Sequence, residues 1–196
     1  MIAVIDYRAG NLTSVMKALS ALHAGATVTA DPDEVRKASK VILPGVGHFA
    51  ATRLLQEQGL SEAVRDSIAR GVPFLGICVG LQWLFEGSTE APDDKGLGIF
   101  SGMCERFPAG AKVPHVGWNS ISVRPGSRLM AQINEGEFVY YTHSYRAPVI
   151  KDTVAVTEYG EPFTGAVERD NVMGVQFHPE KSGTAGMRIL KNFVEL

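Results

Sequence analysis

A buried apolar run that ends in a cysteine between two glycines places the strongest constraint on how this chain can fold. Residues 72–77 have the length and composition of a fully buried strand, and the sequence Gly76-Ile77-Cys78-Val79-Gly80 closes it. Residues 80–85 then begin a helical stretch. Glycines on both sides of Cys78 let the backbone take a tight, strained turn, and they let a second molecule approach the thiol closely. The segment therefore predicts a strand–turn–helix elbow that presents Cys78.

Apolar strands alternate with amphipathic helical stretches through the first half of the chain. This alternation predicts an α/β fold with a mostly parallel central sheet and helices on both faces. From residue 96 to 164 turns are frequent and strand-like runs dominate, which predicts an added antiparallel section. We expect strands at 2–7, 26–30, 40–43, 72–77, 120–123, 138–141, 153–159 and 172–177. The chain has no repeat or long linker, and its 196 residues predict a single domain over 1–196.

The composition is that of an ordinary globular protein, with 45% apolar and 20% charged residues. A net charge of -2 gives no reason to expect nucleic acid or an anionic membrane as a partner. The first residues read as a strand and not as a signal peptide, because no basic region precedes them. Only two cysteines are present, Cys78 and Cys104, which argues against a disulfide framework and fits a reducing cytoplasm, although a bridge between them stays open.

Cys78 has the setting of a nucleophile. A helix that begins directly after the turn favours the thiolate over the thiol, and the N–H of Val79 is a natural donor to an oxyanion. A second glycine turn, Pro44-Gly45-Val46-Gly47, follows another expected strand, and its N–H groups could supply a further donor. The competing interpretation is that Cys78 is simply a buried apolar residue, as most isolated cysteines are.

His178 and Glu180 follow the expected strand at 172–177 and are two residues apart. If the stretch is extended, both side chains face the same side, so that His178 can reach Cys78 while Glu180 supports the other ring nitrogen. A nucleophile, a base and an orienting acid are what covalent acyl transfer requires. The alternative is a solvated loop histidine beside a surface glutamate. No Cys and His residues show the spacing of a zinc site, so we expect neither a metal nor a cofactor.

These motifs together resemble the class I (triad) glutamine amidotransferases. The elbow around Cys78, the turn at 44–47 and the stretch Gln176-Phe177-His178-Pro179-Glu180 occur in the order of that family. A finer set of motifs, which includes Pro114-His115-Val116-Gly117-Trp118-Asn119 and His143-Ser144-Tyr145, is similar to the glutaminase subunits of imidazole glycerol phosphate synthases. The resemblance runs from residue 2 to the end of the chain. One departure is Val79-Gly80-Leu81, where Leu-Gly-Met is more usual.

The resemblance implies that the chain hydrolyses glutamine to glutamate and ammonia. Cys78 would attack the side-chain amide and form a thioester, His178 would protonate the departing ammonia and then activate water, and Glu180 would orient His178. Val79, with Val46 or Gly47, would hold the oxyanion. The same resemblance implies that glutamine is bound by Gln82 and by the backbone of His143, Ser144 and Tyr145.

The resemblance also implies a partner, a (β/α)₈-barrel cyclase subunit that forms a heterodimer with this chain and receives the ammonia through a sequestered path. We expect Trp118, Tyr140 and Lys181 to lie near the docking face, because aromatic rings and long cationic side chains favour interfaces. Each of the three could equally be an ordinary core or surface residue.

Three other functions remain open from the sequence. The chain could be the glutaminase subunit of another synthase, such as that for anthranilate or pyridoxal phosphate, although the motifs at 45–49 and 115–119 argue against this. It could be a stand-alone cysteine hydrolase, which would need no partner. It could also be a non-catalytic binding subunit, although the presence of Cys78, His178 and Glu180 together argues against that.

Overall fold

The computed structural model describes all residues, 1–196. Its helices are α1 (Leu12–Ala21), α2 (Pro32–Lys37), α3 (Arg53–Glu57), α4 (Leu60–Ala69), α5 (Val79–Leu84) and α6 (Gly183–Glu195). Its strands are β1 (Ile2–Ile5), β2 (Ala26–Thr29), β3 (Lys40–Gly45), β4 (Phe74–Cys78), β5 (Gly87–Ser88), β6 (Met103–Arg106), β7 (His115–Ser120), β8 (Ser122–Val123), β9 (Phe138–His143), β10 (Tyr145–Arg146), β11 (Thr153–Tyr159), β12 (Glu161–Arg169) and β13 (Val172–Val175). Single 3₁₀ turns lie at Phe49–Thr52 and Pro179–Lys181.

The centre of the molecule is an eight-stranded sheet in the order β2-β1-β3-β4-β13-β12-β11-β8. The first five strands in this order are parallel and the last three are antiparallel, which confirms the predicted α/β class and its antiparallel section. Strands β1, β3, β4 and β13 are buried along almost their whole length, as expected for parallel strands covered on both faces. Helix α1 packs beside α6, and α2 and α3 pack on α4.

The antiparallel section differs in detail from the prediction. A separate two-stranded sheet pairs β7 with β9, so the expected strand at 120–123 is instead the end of β7 followed by the short β8. The nine-residue β12 was not predicted, because Pro162 and Gly165 interrupt its apolar pattern and its three charged residues lie at its ends. The core is one cluster of 50 buried residues that runs from Ile2 to Phe193, which favours the predicted single domain. None of the helices is long and apolar enough to cross a membrane.

The sheet brings three distant segments to one edge. Gly45, the last residue of β3, lies directly opposite Cys78, the last residue of β4. Strand β13 lies on the other side of β4, with Val175 opposite Ile77, so the residues that follow Val175 emerge beside the thiol. The carboxyl ends of parallel strands are where α/β proteins bind ligands. The topology alone therefore places the segments at 45–47, 78–79 and 176–180 together.

Candidate active site

The predicted elbow is present at Cys78. Its backbone has φ 56° and ψ -107°, a conformation that residues other than glycine rarely adopt and that tends to be retained at functional sites. The two flanking glycines are required by close approach, because a Cβ at Gly76 would collide with the backbone of Gly80, and one at Gly80 would collide with the carbonyl of Leu43. The thiol is held at the carboxyl edge of the sheet with only 3% of the residue exposed.

The structure brings His178 and Glu180 together beside Cys78. The Nδ1 of His178 is 2.9 Å from Oε1 of Glu180, and both side chains are 1% exposed. Strand β9 fixes the position of the imidazole, since the N–H of His178 donates to the carbonyl of Tyr140 at 2.9 Å. The Nε2 of His178 is buried and makes no hydrogen bond of its own, while the thiol lies near enough to shift the titration of the ring. The three side chains thus stand in the order thiol, imidazole, carboxylate.

The backbone between His178 and Glu180 is not extended, contrary to the prediction. Pro179–Lys181 forms one turn of 3₁₀ helix, with Pro179 at its first position, where a missing N–H costs nothing. The carboxylate therefore reaches the imidazole because the chain turns back on itself. Ser182 secures this turn: its hydroxyl donates to the carbonyl of His178 at 2.7 Å and accepts from the N–H of Tyr140 at 2.9 Å.

The surroundings of His178 favour its charged form. Burial on its own lowers the pKa of the imidazole, but the neighbouring Cys78 sulfur and the Glu180 carboxylate outweigh burial and raise the pKa to about 9. The ring therefore keeps its proton near neutral pH. An imidazolium held against a thiolate is the arrangement from which a nucleophilic attack and a proton transfer to the leaving group can follow.

Three backbone N–H groups border the thiol. Val79 is the first residue of α5, so its N–H has no acceptor within that helix. The N–H groups of Val46 and Gly47 donate to no other group of the protein, and both residues line the same cavity as Cys78. Gly47 has φ 90°, a conformation open to glycine. The residues of the predicted donors thus line the same cavity as the sulfur, and their role as an oxyanion hole stays a prediction.

Gln82 was predicted to bind glutamine, but its side-chain amide donates two hydrogen bonds to groups of the protein itself. Its Nε2 donates to the carbonyl of Tyr145 at 2.9 Å and to Oε1 of Gln176 at 3.1 Å. This fixes the amide of Gln176, whose own Nε2 then donates to the sulfur of Cys78 at 3.7 Å. Gln176 was only part of a motif in the sequence. Its amide supplies the thiol with a donor that would stabilise a thiolate.

A cavity of ≈ 250 Å³ opens beside the sulfur. The predicted substrate-binding residues Gln82, His143, Ser144 and Tyr145 all line it, together with Thr142, Pro114 and Glu90. A larger cleft of ≈ 710 Å³ lies between α3, α4 and residues 93–97, but it contains no thiol or imidazole. We therefore take the smaller cavity, which holds the nucleophile, as the candidate substrate site.

Glu90 is a wall residue of this cavity that sequence reasoning missed. Its Oε2 accepts from the N–H of Phe49 at 2.8 Å, which ties the segment around Glu90 to the turn that follows Gly47. The sequence carried no signal for it, because Glu90 lies in a turn-rich loop with no recognisable motif. A carboxylate at this position suits a ligand that carries an ammonium group.

The residues expected at a docking face form one surface cluster, in which Trp118 and Lys181 are exposed and Tyr140 is half-buried. The ring of Trp118 lies 6.0 Å from that of Tyr140, and Nζ of Lys181 lies 5.9 Å from the same tyrosine ring. Trp118 is 55% exposed, and Val116 and Phe138 on the same two-stranded sheet are 56% and 57% exposed. We call these five residues the aromatic face. An apolar surface of this kind is typical of an interaction site.

Replacing Tyr7 with phenylalanine should stabilise the protein by about 1 kcal/mol. The hydroxyl of Tyr7 is buried against Gly45 and has no hydrogen-bond partner. Folding therefore removes it from water without replacing the lost hydrogen bonds, and phenylalanine avoids this cost. Unfolding in urea measures the effect. Tyr141→Phe is the matched control, because that buried hydroxyl lies 2.6 Å from the hydroxyl of Thr157 and its loss should destabilise by a similar amount. Equal losses in both variants would contradict the prediction.

Both cysteines are free thiols, so the bridge left open by the sequence is not formed. Cys104 is fully buried, and its Sγ donates to the carbonyl of Gln82 at 3.8 Å. No group of three or more His, Cys, Asp or Glu side chains has the arrangement of a metal site.

Comparison with known proteins places this geometry in context. Residues 3–196 match the family model described as glutamine amidotransferase class-I. The chain is 50% identical to the imidazole glycerol phosphate synthase subunit HisH of Moorella thermoacetica, over all of this chain and 94% of that protein. It is 45% identical to the same subunit of Caldanaerobacter subterraneus subsp. tengcongensis, over all of this chain and 98% of that protein.

Solved structures show the same fold at low sequence identity. A crystal structure of a glutamine amidotransferase aligns with a TM-score of 0.78 at 19% identity, over 100% of this chain and 98% of the other. The structure of PurLQS from Thermotoga maritima aligns with a TM-score of 0.76 at 18% identity, over 99% of this chain and 97% of the other. At such identities the likeness concerns the fold.

Proposed function

Because the chain belongs to the class I glutamine amidotransferases, and within them to the HisH subunits of imidazole glycerol phosphate synthase, we propose that it hydrolyses glutamine at Cys78 and delivers the ammonia to a synthase partner. The observation that carries this proposal is the buried array of Cys78, His178 and Glu180, of which Cys78 lines the cavity. Histidine biosynthesis is the pathway in which such a subunit acts, and its free thiols fit a reducing cytoplasm.

The proposed reaction has two halves, the formation and the hydrolysis of a thioester. Cys78 and His178 act in both, and Glu180 orients His178. The Cys78 thiolate adds to the side-chain carbonyl carbon of glutamine, and the negative charge moves to the carbonyl oxygen. His178, protonated at the start, gives its proton to the amide nitrogen, which leaves as ammonia and leaves a glutamyl thioester. His178 then removes a proton from water, which attacks the thioester and breaks its C–S bond, so that glutamate leaves and the Cys78 thiolate and the protonated His178 are restored.

The cavity supports the binding of an amino acid. The free N–H groups of Val79, Val46 and Gly47 are the proposed donors to the oxyanion. The carboxylate of Glu90 is the proposed partner of the α-ammonium group. Gln82 is proposed to contribute mainly by orienting Gln176, and the segment 143–145 lines the same cavity.

The proposed partner is a (β/α)₈-barrel cyclase that docks on the aromatic face and forms a heterodimer with this chain. Support comes from the exposure of Trp118 and Phe138 and from the neighbouring His178 turn, which shares Lys181 with that face. Docking there would cover the segment that carries the catalytic base.

The function is tested by mixing the purified chain with candidate partners. We expect glutamine-dependent product formation with the cyclase subunit of imidazole glycerol phosphate synthase, and none with the synthase subunits for anthranilate or pyridoxal phosphate. Rapid glutamine hydrolysis without any partner would favour a stand-alone hydrolase. Activity with one of the other two synthases would replace the proposed pathway.

Truncating Trp118 to alanine should weaken the complex with the cyclase by roughly 30-fold, as expected for a central aromatic residue of an interface. Isothermal titration of the two purified subunits measures the dissociation constant. Val28→Ala is the control, since Val28 is exposed on the edge strand β2, away from the aromatic face, and should leave the affinity unchanged. An unchanged affinity for Trp118→Ala would remove the aromatic face from the interface.

A further inference from the structure

Three consecutive hydrogen bonds connect the wall of the cavity with the edge of the aromatic face. We call this row, from Tyr145 through His143 and His115 to Asn119, the file of hydrogen bonds. The Nδ1 of His143 lies 2.9 Å from the carbonyl of Tyr145, and its Nε2 lies 3.0 Å from Nδ1 of His115. The Nε2 of His115 lies 3.4 Å from Nδ2 of Asn119. His115 and His143 are directly opposite each other in the β7–β9 pair, so the file crosses the sheet from strand to strand.

In each hydrogen bond of this file, only one assignment of donor and acceptor is possible. A carbonyl only accepts, so Nδ1 of His143 carries the proton and its Nε2 accepts from Nδ1 of His115. The Nε2 of His115 must then accept from the amide of Asn119. That amide cannot turn over, because its Oδ1 accepts from the N–H of Ser120 at 2.8 Å and its Nδ2 donates to the carbonyl of Glu158 at 2.9 Å.

The surroundings keep both imidazoles neutral, which this pattern requires. His115 stacks between Tyr141 and Tyr159, with ring centroids at 4.9 and 4.0 Å, and Phe107 meets both imidazoles edge-on. Burial lowers the pKa of His115 to about 4 and that of His143 to about 3. A neutral imidazole offers one donor and one acceptor, so each tautomer is set by its neighbour.

The inner end of the file bears directly on the candidate site. The carbonyl of Tyr145 accepts from His143 and also from Gln82, whose second amide hydrogen orients Gln176 toward the sulfur of Cys78. The outer end, Asn119, is the neighbour of Trp118 on β7. Neither His115 nor Asn119 lines the cavity, and their hydrogen-bonded connection to it runs through His143.

We propose that His115 and Asn119 are positioning residues for glutamine, which act by fixing the tautomer of His143 and, through the carbonyl of Tyr145, the shape of the cavity wall. This proposal rests on the proposed glutaminase function. It gives the segment Pro114–Asn119 a second role besides the proposed docking. The strand that carries Trp118 also determines which ring nitrogens of His115 and His143 are protonated.

The test reverses the polarity at the outer end. In Asn119→Asp, a carboxylate faces Nε2 of His115 and requires a proton there, so His115 must change its tautomer or become charged. We expect the ¹⁵N signals of the His115 and His143 rings to move to another protonation pattern. In the complex with the cyclase, we expect KM for glutamine to rise about 10-fold with kcat changed less than 3-fold, as for lost ground-state binding.

Asn119→Ala is the matched control, since it removes a donor without supplying an opposing acceptor. It frees His115 without reversing the bond at its Nε2, so KM should rise by about 3-fold or less, clearly below the rise in Asn119→Asp, with the His143 tautomer retained. The proposal is overturned if the ring signals of His143 stay the same in Asn119→Asp, or if the alanine variant raises KM as much. Ring signals do not depend on turnover, so a wild-type complex without glutaminase activity would refute the proposed function separately.

A second pair of variants covers poor folding of the first. His115→Gln keeps a side-chain amide that can donate to Nε2 of His143, whereas His115→Phe keeps a ring and removes the donor. We expect the glutamine variant to retain a lower KM than the phenylalanine variant by about 5-fold or more. Equal KM values in the two variants would mean that His115 acts only by packing.

Discussion

Replacing Cys78 with serine lowers glutamine-dependent synthase activity by about 10⁴-fold or more and leaves the ammonia-dependent reaction of the same complex intact. The expectation follows from the array of Cys78, His178 and Glu180: a serine hydroxyl at position 78 is a much weaker nucleophile than a thiol and does not ionise in this pH range. The variant should keep the fold, because the change is isosteric at the elbow.

The measurement compares two nitrogen sources on one preparation. Product formation is followed first with glutamine and then with an ammonium salt at alkaline pH, where free ammonia is abundant. Cys104→Ser is the matched control: it is the other buried thiol, and a serine there can still donate to the carbonyl of Gln82. It should stay within a few-fold of wild type with both sources.

Two results would contradict the assignment. If Cys78→Ser kept its glutamine-dependent activity, the nucleophile would have to be another group. If both nitrogen sources failed equally, Cys78 would act on the assembly or on folding, and the separation of glutaminase from synthase would be lost.

The elbow could be predicted from the sequence because its requirements are local. Gly76 and Gly80 are needed where the backbone of α5 touches β3 and β4, and no larger residue fits there. The order of the parallel strands follows from the same alternation of strand and helix, which also places Gly45 beside Cys78. Local sequence features were therefore enough to predict both the nucleophile and the sheet edge at which it lies.

The pairing of His178 with Glu180 was predicted for a reason that proved wrong. The two side chains meet across a 3₁₀ turn, and that turn is held by Ser182 and by the backbone of Tyr140, 38 residues earlier in the chain. Sequence spacing admits both an extended and a turned backbone. Only the long-range contact with β9 decides between them.

Gln176 and Glu90 show what the sequence could not supply. The amide of Gln176 reaches the sulfur because Gln82, 94 residues earlier, fixes its orientation, and Glu90 reaches the cavity because the N–H of Phe49 holds it. Such roles arise from hydrogen bonds between segments that meet only after folding. The strand β12 was missed for a related reason, since pairing on both sides stabilises a segment that has poor strand character of its own.

The free energy of unfolding should fall on both sides of a maximum near pH 6.5, because buried histidines titrate in opposite directions. His115 and His143 have their pKa values lowered by burial to about 4 and about 3. Below pH 6.5 the unfolded chain binds two protons that the folded protein does not bind. Stability is therefore lost as the pH falls, by about 2.7 kcal/mol for each pH unit from these two groups.

His178 causes the decrease in the free energy of unfolding above pH 6.5. The adjacent sulfur and the Glu180 carboxylate raise its pKa to about 9 against the opposing effect of burial, so between pH 6.5 and 9 the folded protein holds a proton that the unfolded chain has released. Its contribution is complete below pH 6.5 and is lost as the pH rises, by at most about 1.4 kcal/mol for each pH unit.

Urea unfolding at half-unit steps from pH 4.5 to 9 measures both slopes. In a variant with His115→Gln and His143→Gln, overall stability is lower, but the acid slope should be much reduced, which separates these histidines from carboxylates that protonate below pH 5. His178→Asn should remove the alkaline slope and leave the acid slope in place. An acid slope that is unchanged in the double variant would mean that the two imidazoles are already charged in the folded protein, which would also break the one-way file of hydrogen bonds behind the cavity.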